Sequence, residues 1–317
     1  MTVAPSITAA GLAALALSAA AAPAQAAPGV RVQDAAARLV VIPEARRDVS
    51  VTVRPGDPRL PPLRTRQDGE VLVVEGGLQD RIESCGAINM NFGAVFNHRR
   101  GDPAPGQRVI VRGVGMVPLD ALPVITARVP MDASVAAGGA VWGEVGPTER
   151  LRLAKSGCGD FRVADVRGEF DIDSHGSGDT GAGRVGKLRA AMNGSGDLTA
   201  GDVAREADVA IVDSGDVRLG RVGGAIAATV RGSGDLRAAE LQGPLNASVA
   251  GSGDVQVEGG RAPVMAVRIA GSGDVRFGGE AGSLSAQIAG SGDVRVSRVT
   301  GPVAKSVHGS GEVYIGR

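Results

Sequence analysis

Aromatic residues are scarce in this chain: one Trp, one Tyr and five Phe among 317 residues. Single-stranded nucleic acids are held by stacking on such rings, so an extended base-stacking platform is excluded. Net charge is absent too, with 34 basic residues against 34 acidic. The electrostatic footprint of a nucleic-acid partner is therefore missing. The three histidines, His98, His175 and His308, are too dispersed to read as a metal site, and no cofactor motif is present. No G-x-S-x-G, H-E-x-x-H or phosphate-cradling loop occurs. Beyond the first 26 residues no stretch is long and apolar enough to cross a membrane as a helix. What remains to build with is Gly, 49 residues of it, and a mixture of Val, Ala, Leu and Ile. That mixture suits a narrow, layered β interior.

The second half of the chain repeats Gly-Ser-Gly-Asp or a close variant. The closing acidic residues are Asp160, Asp179, Asp197, Asp216, Asp235, Asp254, Asp274, Asp293 and Glu312, at spacings of 19, 18, 19, 19, 19, 20, 19 and 19. A fixed period near 20 residues marks one supersecondary unit stacked many times. With the acidic residue numbered zero, positions +1 and +3 are apolar and +2 is polar, as in Val275, Arg276 and Phe277. A second alternating run precedes the next acidic residue, as in Leu284, Ala286 and Ile288, and +6 is apolar again. Alternation of this kind is the signature of strands with one buried face. Each coil is too short for a strand plus a helix. The pattern predicts an all-β chain: a right-handed parallel β-helix with coils of about 19 residues, like positions stacking about 4.8 Å apart.

Gly recurs at −1 in all nine repeats and at −3 in eight, Asp213 being the exception. Such corners call either for positive φ or for close approach of stacked backbones. Ser at −2 is placed to donate to the coil above or below, forming a hydroxyl ladder, or to a local backbone group. The acidic column reads first as structural, because an Arg stripe at +2 (Arg162, Arg218, Arg237, Arg276, Arg295) runs beside it. Opposite charges at that spacing offset a like-charge repulsion of roughly 1 kcal/mol per pair or less. Calcium ligation by the same carboxylates, although calcium-binding β-rolls use about half this period, and a recognition surface are the alternatives.

Ala9 to Ala22 is a small-apolar run followed by Ala24-Gln25-Ala26, a small-x-small cleavage pattern, so residues 1–26 read as a secretory signal. Export leads to an oxidising compartment, where the only two cysteines, Cys85 and Cys158, have the opportunity to pair. Two free buried thiols are the other possibility. Cys158 occupies the slot that Ser fills in later repeats. Residues 27–124 hold short β patterns broken by prolines, with Gly-rich polar loops over much of 76–107, and read as a capping region. The solenoid is expected over 125–317. A degenerate coil opens it, with Met131-Asp132-Ala133-Ser134-Val135-Ala136 matched to Leu245-Asn246-Ala247-Ser248-Val249-Ala250. Arg100-Gly101-Asp102 matches a tripeptide of cell-adhesion ligands and is read as a chance occurrence.

The phrases Ala-Gly-Ser-Gly-Asp-Val at 250–255, 270–275 and 289–294 resemble those of the bacterial family called putative auto-transporter adhesin, head GIN domain. The resemblance implies an exported β-helical domain and carries no catalytic residue over. No membrane barrel is recognisable after the repeats. The expected function is a non-enzymatic, adhesin-like or structural protein of the periplasm or cell surface that binds an envelope polymer or protein. A polysaccharide lyase-like β-helix enzyme and a calcium-stabilised repeat are the alternatives. The strand Val313-Tyr314-Ile315 is further expected to support weak end-to-end self-association through residues 312–316.

Overall fold

Stacking of like positions organises the whole chain. Leu245, Ala247 and Val249 lie in register with Ile226, Ala228 and Val230 on one side and with Met265, Val267 and Ile269 on the other. All nine are buried, and each Val, Leu or Ile contributes about 1.5–3 kcal/mol by leaving water. The computed structural model, which describes residues 27–87 and 107–316, is an all-β parallel solenoid of about 10 turns with ~19-residue coils. The signal segment 1–26, His98 and Arg100-Gly101-Asp102 lie outside the described residues.

Each coil has three sides. A seven-residue strand such as Leu245–Gly251 forms the first, the short strand after the acidic corner, such as Val255–Val257, the second. A third short strand, such as Gly260–Ala262, closes the coil. The apolar residue at +6 belongs to this third side, where Val166, Val185, Val203, Val222 and Leu241 are buried.

The parallel ladder reaches further toward the N-terminus than residue 125. Gly29–Glu44 pairs in parallel with Asp132–Val145, so it is a rung of the same solenoid. Its corner is turned by Asp34 at φ 53° rather than by a Gly-x-Gly phrase, which hid it from the repeat pattern. The other edge of this rung is taken in parallel by Val71–Glu75 and Val124–Pro130. Ser50–Arg54 and Arg64–Asp68 then add antiparallel strands. Arg64–Asp68 is exposed throughout and reads RTRQD, a charged edge of the kind that discourages further strand addition. The stretch 27–124 thus contains both a rung and its cap.

The first-coil match also shifts. Ala133, not Met131, stacks in the column of Leu151, Phe170, Leu188, Ala207, Ile226 and Leu245. A slip of two residues leaves every side chain on its own face, so alternation alone does not detect it. Within 76–107, where loops are expected over much of the stretch, residues 82–87 form a strand, and 88–106 lie outside the described residues. Ile82–Ala87, Gln107–Val111 and Gly115–Pro118 form an antiparallel sheet. Its apolar face, with Val109, Val111 and Val117, packs with Leu119, Leu122, Ala36 and Ala140 in a second, smaller core. The flap so formed lies on the outside of the solenoid.

The two glycines of each corner serve different ends. Gly251 sits at φ 137°, a conformation costly for any residue with a Cβ. Asp213 takes the equivalent place at φ 88°. Gly253 has no positive φ; a Cβ there would lie 2.1 Å from the carbonyl oxygen of Gly234 in the preceding coil. In the last described rung, Val303, Val307, Tyr314 and Ile315 are exposed, and Lys305 stands in the column of Ala286.

Replacing Gly253 by Val should therefore cost about 3 kcal/mol, the upper part of the usual overpacking range. Gln256→Ala, on the outer face, should stay within about 0.5 kcal/mol of the parent. Urea midpoints measure both, and equal midpoints would contradict the close-approach assignment.

Candidate functional site

The acidic residues that close the repeats, from Asp160 to Glu312, fall in one column, and each is hydrogen-bonded to the next. Asp160 Oδ1 accepts the Asp179 N–H at 3.0 Å. The same bond recurs at every step until Glu312 donates its N–H to Asp293 Oδ1 at 2.8 Å. The main chain at this corner is joined as well: the Val255 N–H, for example, is donated to the Asp274 carbonyl at 2.9 Å. The side chain short enough to bend back over the corner is Asp, which gives the repeat its residue type.

The second carboxylate oxygen faces the arginine stripe. Arg218 bridges Asp197 and Asp216 at 3.0 and 2.8 Å, and Arg295 bridges Asp274 and Asp293 at 3.1 and 2.7 Å. Arg276 spans Asp254 and Asp274 likewise, and Arg237 holds Asp235 at 3.2 Å. With Oδ1 on backbone and Oδ2 on guanidinium, the column does the work of a scaffold. Among the described residues no group of three His, Cys, Asp or Glu is placed to hold a metal ion. His175 is within 2.9 Å of Asp173 instead, and His308 is exposed. Of the two roles expected for the corner serines, a hydroxyl-to-hydroxyl step between coils is formed by Ser291 to Ser272 at 3.2 Å.

A second charge ladder went unread. At the far corner Asp165, Arg184, Asp202, Arg221 and Glu240 alternate in sign, coil after coil. Arg184 reaches Asp165 at 2.7 Å, and Arg221 approaches Asp202 at 3.8 Å and Glu240 at 3.5 Å. Comparing position +5 across the repeats would have shown it.

Lys155 is also unforeseen, because its place in the alternation marks it as inward while its charge argues against that. It is 4% exposed and stacks between Ala137 and Ser174, in a column that continues as Met192, Ile211 and Val230. Its ammonium donates to the Gly178 carbonyl and, at 3.2 Å, to that of Asp179. The Phe161 ring lies 5.7 Å away. Burial, only partly offset by Asp160 and Asp179, pulls its pKa down to about 8.

The acidic column changes character at its N-terminal end. Gly143 pairs with Phe161 and Trp142 with Arg38, so Trp142 and then Arg38 follow Asp160 in the column. Here the flap meets the solenoid. Cys85 and Cys158 form a disulfide, with Cα atoms 5.9 Å apart, and Gln107 Nε2 donates to Asp160 Oδ2 at 3.2 Å. The seam borders a half-open pocket of about 250 Å³ lined by Trp142, Arg38, Arg162, Glu144, Asp160 and Asp179 among others. Desolvation, together with the like charges of Asp160 and Asp197, pushes the Asp179 carboxyl up.

The profile of the family described as putative auto-transporter adhesin, head GIN domain, matches residues 124–240 and 239–316. The chain belongs to the head GIN domain family. The matched span begins close to residue 125, so the rung Gly29–Glu44 and the flap lie before it. A crystallised putative adhesin from Parabacteroides distasonis is similar at 14% identity, over 91% of this chain and 92% of that one, with a TM-score of 0.34. No curated protein matches. No helix among the described residues of this head GIN domain protein is long and apolar enough to cross a membrane.

Two outcomes follow from this geometry. Asp254→Ala leaves the Asp274 N–H without its acceptor and should cost about 1–3 kcal/mol, whereas Asp254→Asn keeps an oxygen there and should cost less than half as much. Chemical denaturation of both variants checks this, and equal losses would contradict the backbone role. Lys155 sets a pH dependence. Below about pH 8 the amine is charged in both folded and unfolded chains, and the folded state bears the cost of burying it. Between about 8 and 10.5 the unfolded chain holds the proton better, so stability rises with pH and then levels. The rise should be about 3 kcal/mol and should vanish in Lys155→Met, as read by denaturation from pH 7 to 11.

Proposed function

We propose that this head GIN domain protein is an exported, non-enzymatic, adhesin-like component of the cell envelope that binds an envelope polymer or protein. The observation that carries the proposal is the commitment of the acidic column to backbone N–H groups and arginines. A general acid or base needs a carboxyl group held within reach of a substrate proton; these carboxylates hold coils together. What the column supports is a long stack with repeating outer faces, suited to contact along a length of polymer or protein. Export is supported by the Cys85–Cys158 disulfide, a bond that persists in oxidising compartments, and by the signal-like residues 1–26. The family description supports adhesion.

The test is co-sedimentation of the mature protein with purified cell-wall sacculi and with lipopolysaccharide vesicles. Saturable sedimentation with either, without release of oligosaccharide, is the expected result. A protein that stays in the supernatant with both, or one that steadily liberates oligosaccharide, would overturn the proposal.

A further inference from the structure

The geometry points to a binding site for a neutral pyranose in the seam between the flap and the first coils, with Trp142 as the stacking surface. This deepens the envelope-binding proposal and rests on it for biological context.

The first argument is where charge pairing stops. From Arg218 onward each +2 arginine holds at least one carboxylate of the acidic column. At the seam neither Arg162 nor Arg38 makes an ion pair with any described residue, and Glu144, Asp160 and Asp179 make none either. Arg38, Trp142 and Glu144 belong to the rungs beneath, so five charged groups and the chain's one tryptophan gather around one cavity.

The second argument is Gly181. It occupies the +2 slot of the coil of Asp179, in register with Arg162 on one side and Thr199 on the other. It has no positive φ, and a Cβ added to it meets nothing within 4 Å. Neither turn geometry nor packing requires a glycine there. Its effect is to leave Asp179 uncovered and to keep room beside Arg162.

The third argument is chemical fit. An apolar ligand would bury these charges without partners, at several kcal/mol. An anion, including a nucleotide phosphate, finds no excess of positive charge, since three carboxylates face two guanidinium groups and the buried Lys155 ammonium. A neutral pyranose suits all the groups at once. Its C–H face packs on the indole, its hydroxyls donate to carboxylates, and their oxygens accept from guanidinium N–H groups. A cavity of about 250 Å³ with an apolar wall and a few convergent polar groups has the composition of a small-ligand site. One ring suffices for one such site, despite the shortage of aromatics elsewhere.

Trp142 fluorescence reads occupancy directly, since no other tryptophan contributes. The mature protein is titrated with cellotetraose, mannotetraose, galactotetraose and chitotetraose, and with tetragalacturonate as the acidic comparison. A saturable change with at least one neutral sugar is expected. Arg162→Ala, an exposed residue outside every ion pair among the described residues, should weaken that response at least tenfold. Gly181→Arg, which fills the room and pairs the carboxylates, should abolish it with a melting temperature at or above that of the parent. No response to any neutral sugar, a response to tetragalacturonate alone, or an unchanged response in Gly181→Arg would overturn the site. Parallel co-sedimentation separates the two proposals. Sedimentation without any fluorescence response discards the sugar site and leaves the envelope role, while a response without sedimentation does the reverse.

Discussion

One hydrogen bond sets the terms for this solenoid: a carboxylate oxygen of each coil accepts the backbone N–H of the acidic residue in the next. At the Gly-x-Gly corner the chain leaves one strand and enters another, and a backbone donor left unpaired there would cost about 1–3 kcal/mol. The Asp side chain supplies the acceptor from one coil away. Because donor and acceptor belong to the same residue type in successive coils, the solution repeats without limit. It also fixes the rise per coil at a value the strands on all three sides share. Glu312 stands in the last described coil, where the ladder asks of it only the donation of its own N–H.

Glycine and arginine follow from that bond. Drawing the corners together to hydrogen-bonding distance leaves no space for a Cβ at −1, as the 2.1 Å approach at Gly253 shows. Stacking carboxylates at strand spacing accumulates like charge, which Arg218, Arg276 and Arg295 relieve by spanning two coils each. The far corner meets the same problem differently, alternating sign from Asp165 to Glu240 so that each coil neutralises its neighbours.

The repeat made the solenoid legible from sequence, because nine copies of one phrase report which positions face inward and which turn. It also made legible the acidic column and the arginines beside it, and it located Cys158 at a corner. Parts that do not repeat were not legible. Gly29–Glu44 is a rung turned at Asp34, with no Gly-x-Gly phrase to announce it. The two-residue slip at Ala133 preserved alternation and so left no trace in the pattern. That slip also hid Trp142, which stands next to Asp160 in the column, and with it the seam. Lys155 contradicts the expectation that charge faces water. Its ammonium is accommodated by backbone carbonyls at the corner of the next coil, which only three-dimensional placement reveals.

The seam is where the scaffold's own rules lapse. Carboxylates that are spanned by arginine further along stand unspanned beside Gly181, and the flap, tied down through Cys85–Cys158, borders the pocket on one side. A regular stack thus supplies rigidity along its length and a distinct chemical locus at one end. The claim on which this account rests is that the acidic-residue amides are bonded as firmly as strand interiors. Residue-resolved hydrogen exchange at neutral pH measures it most directly. The account predicts that the amides of Asp216, Asp235, Asp254 and Asp274 exchange as slowly as that of Val249, in mid-strand. Exchange of these amides at the rate of an open loop would contradict it.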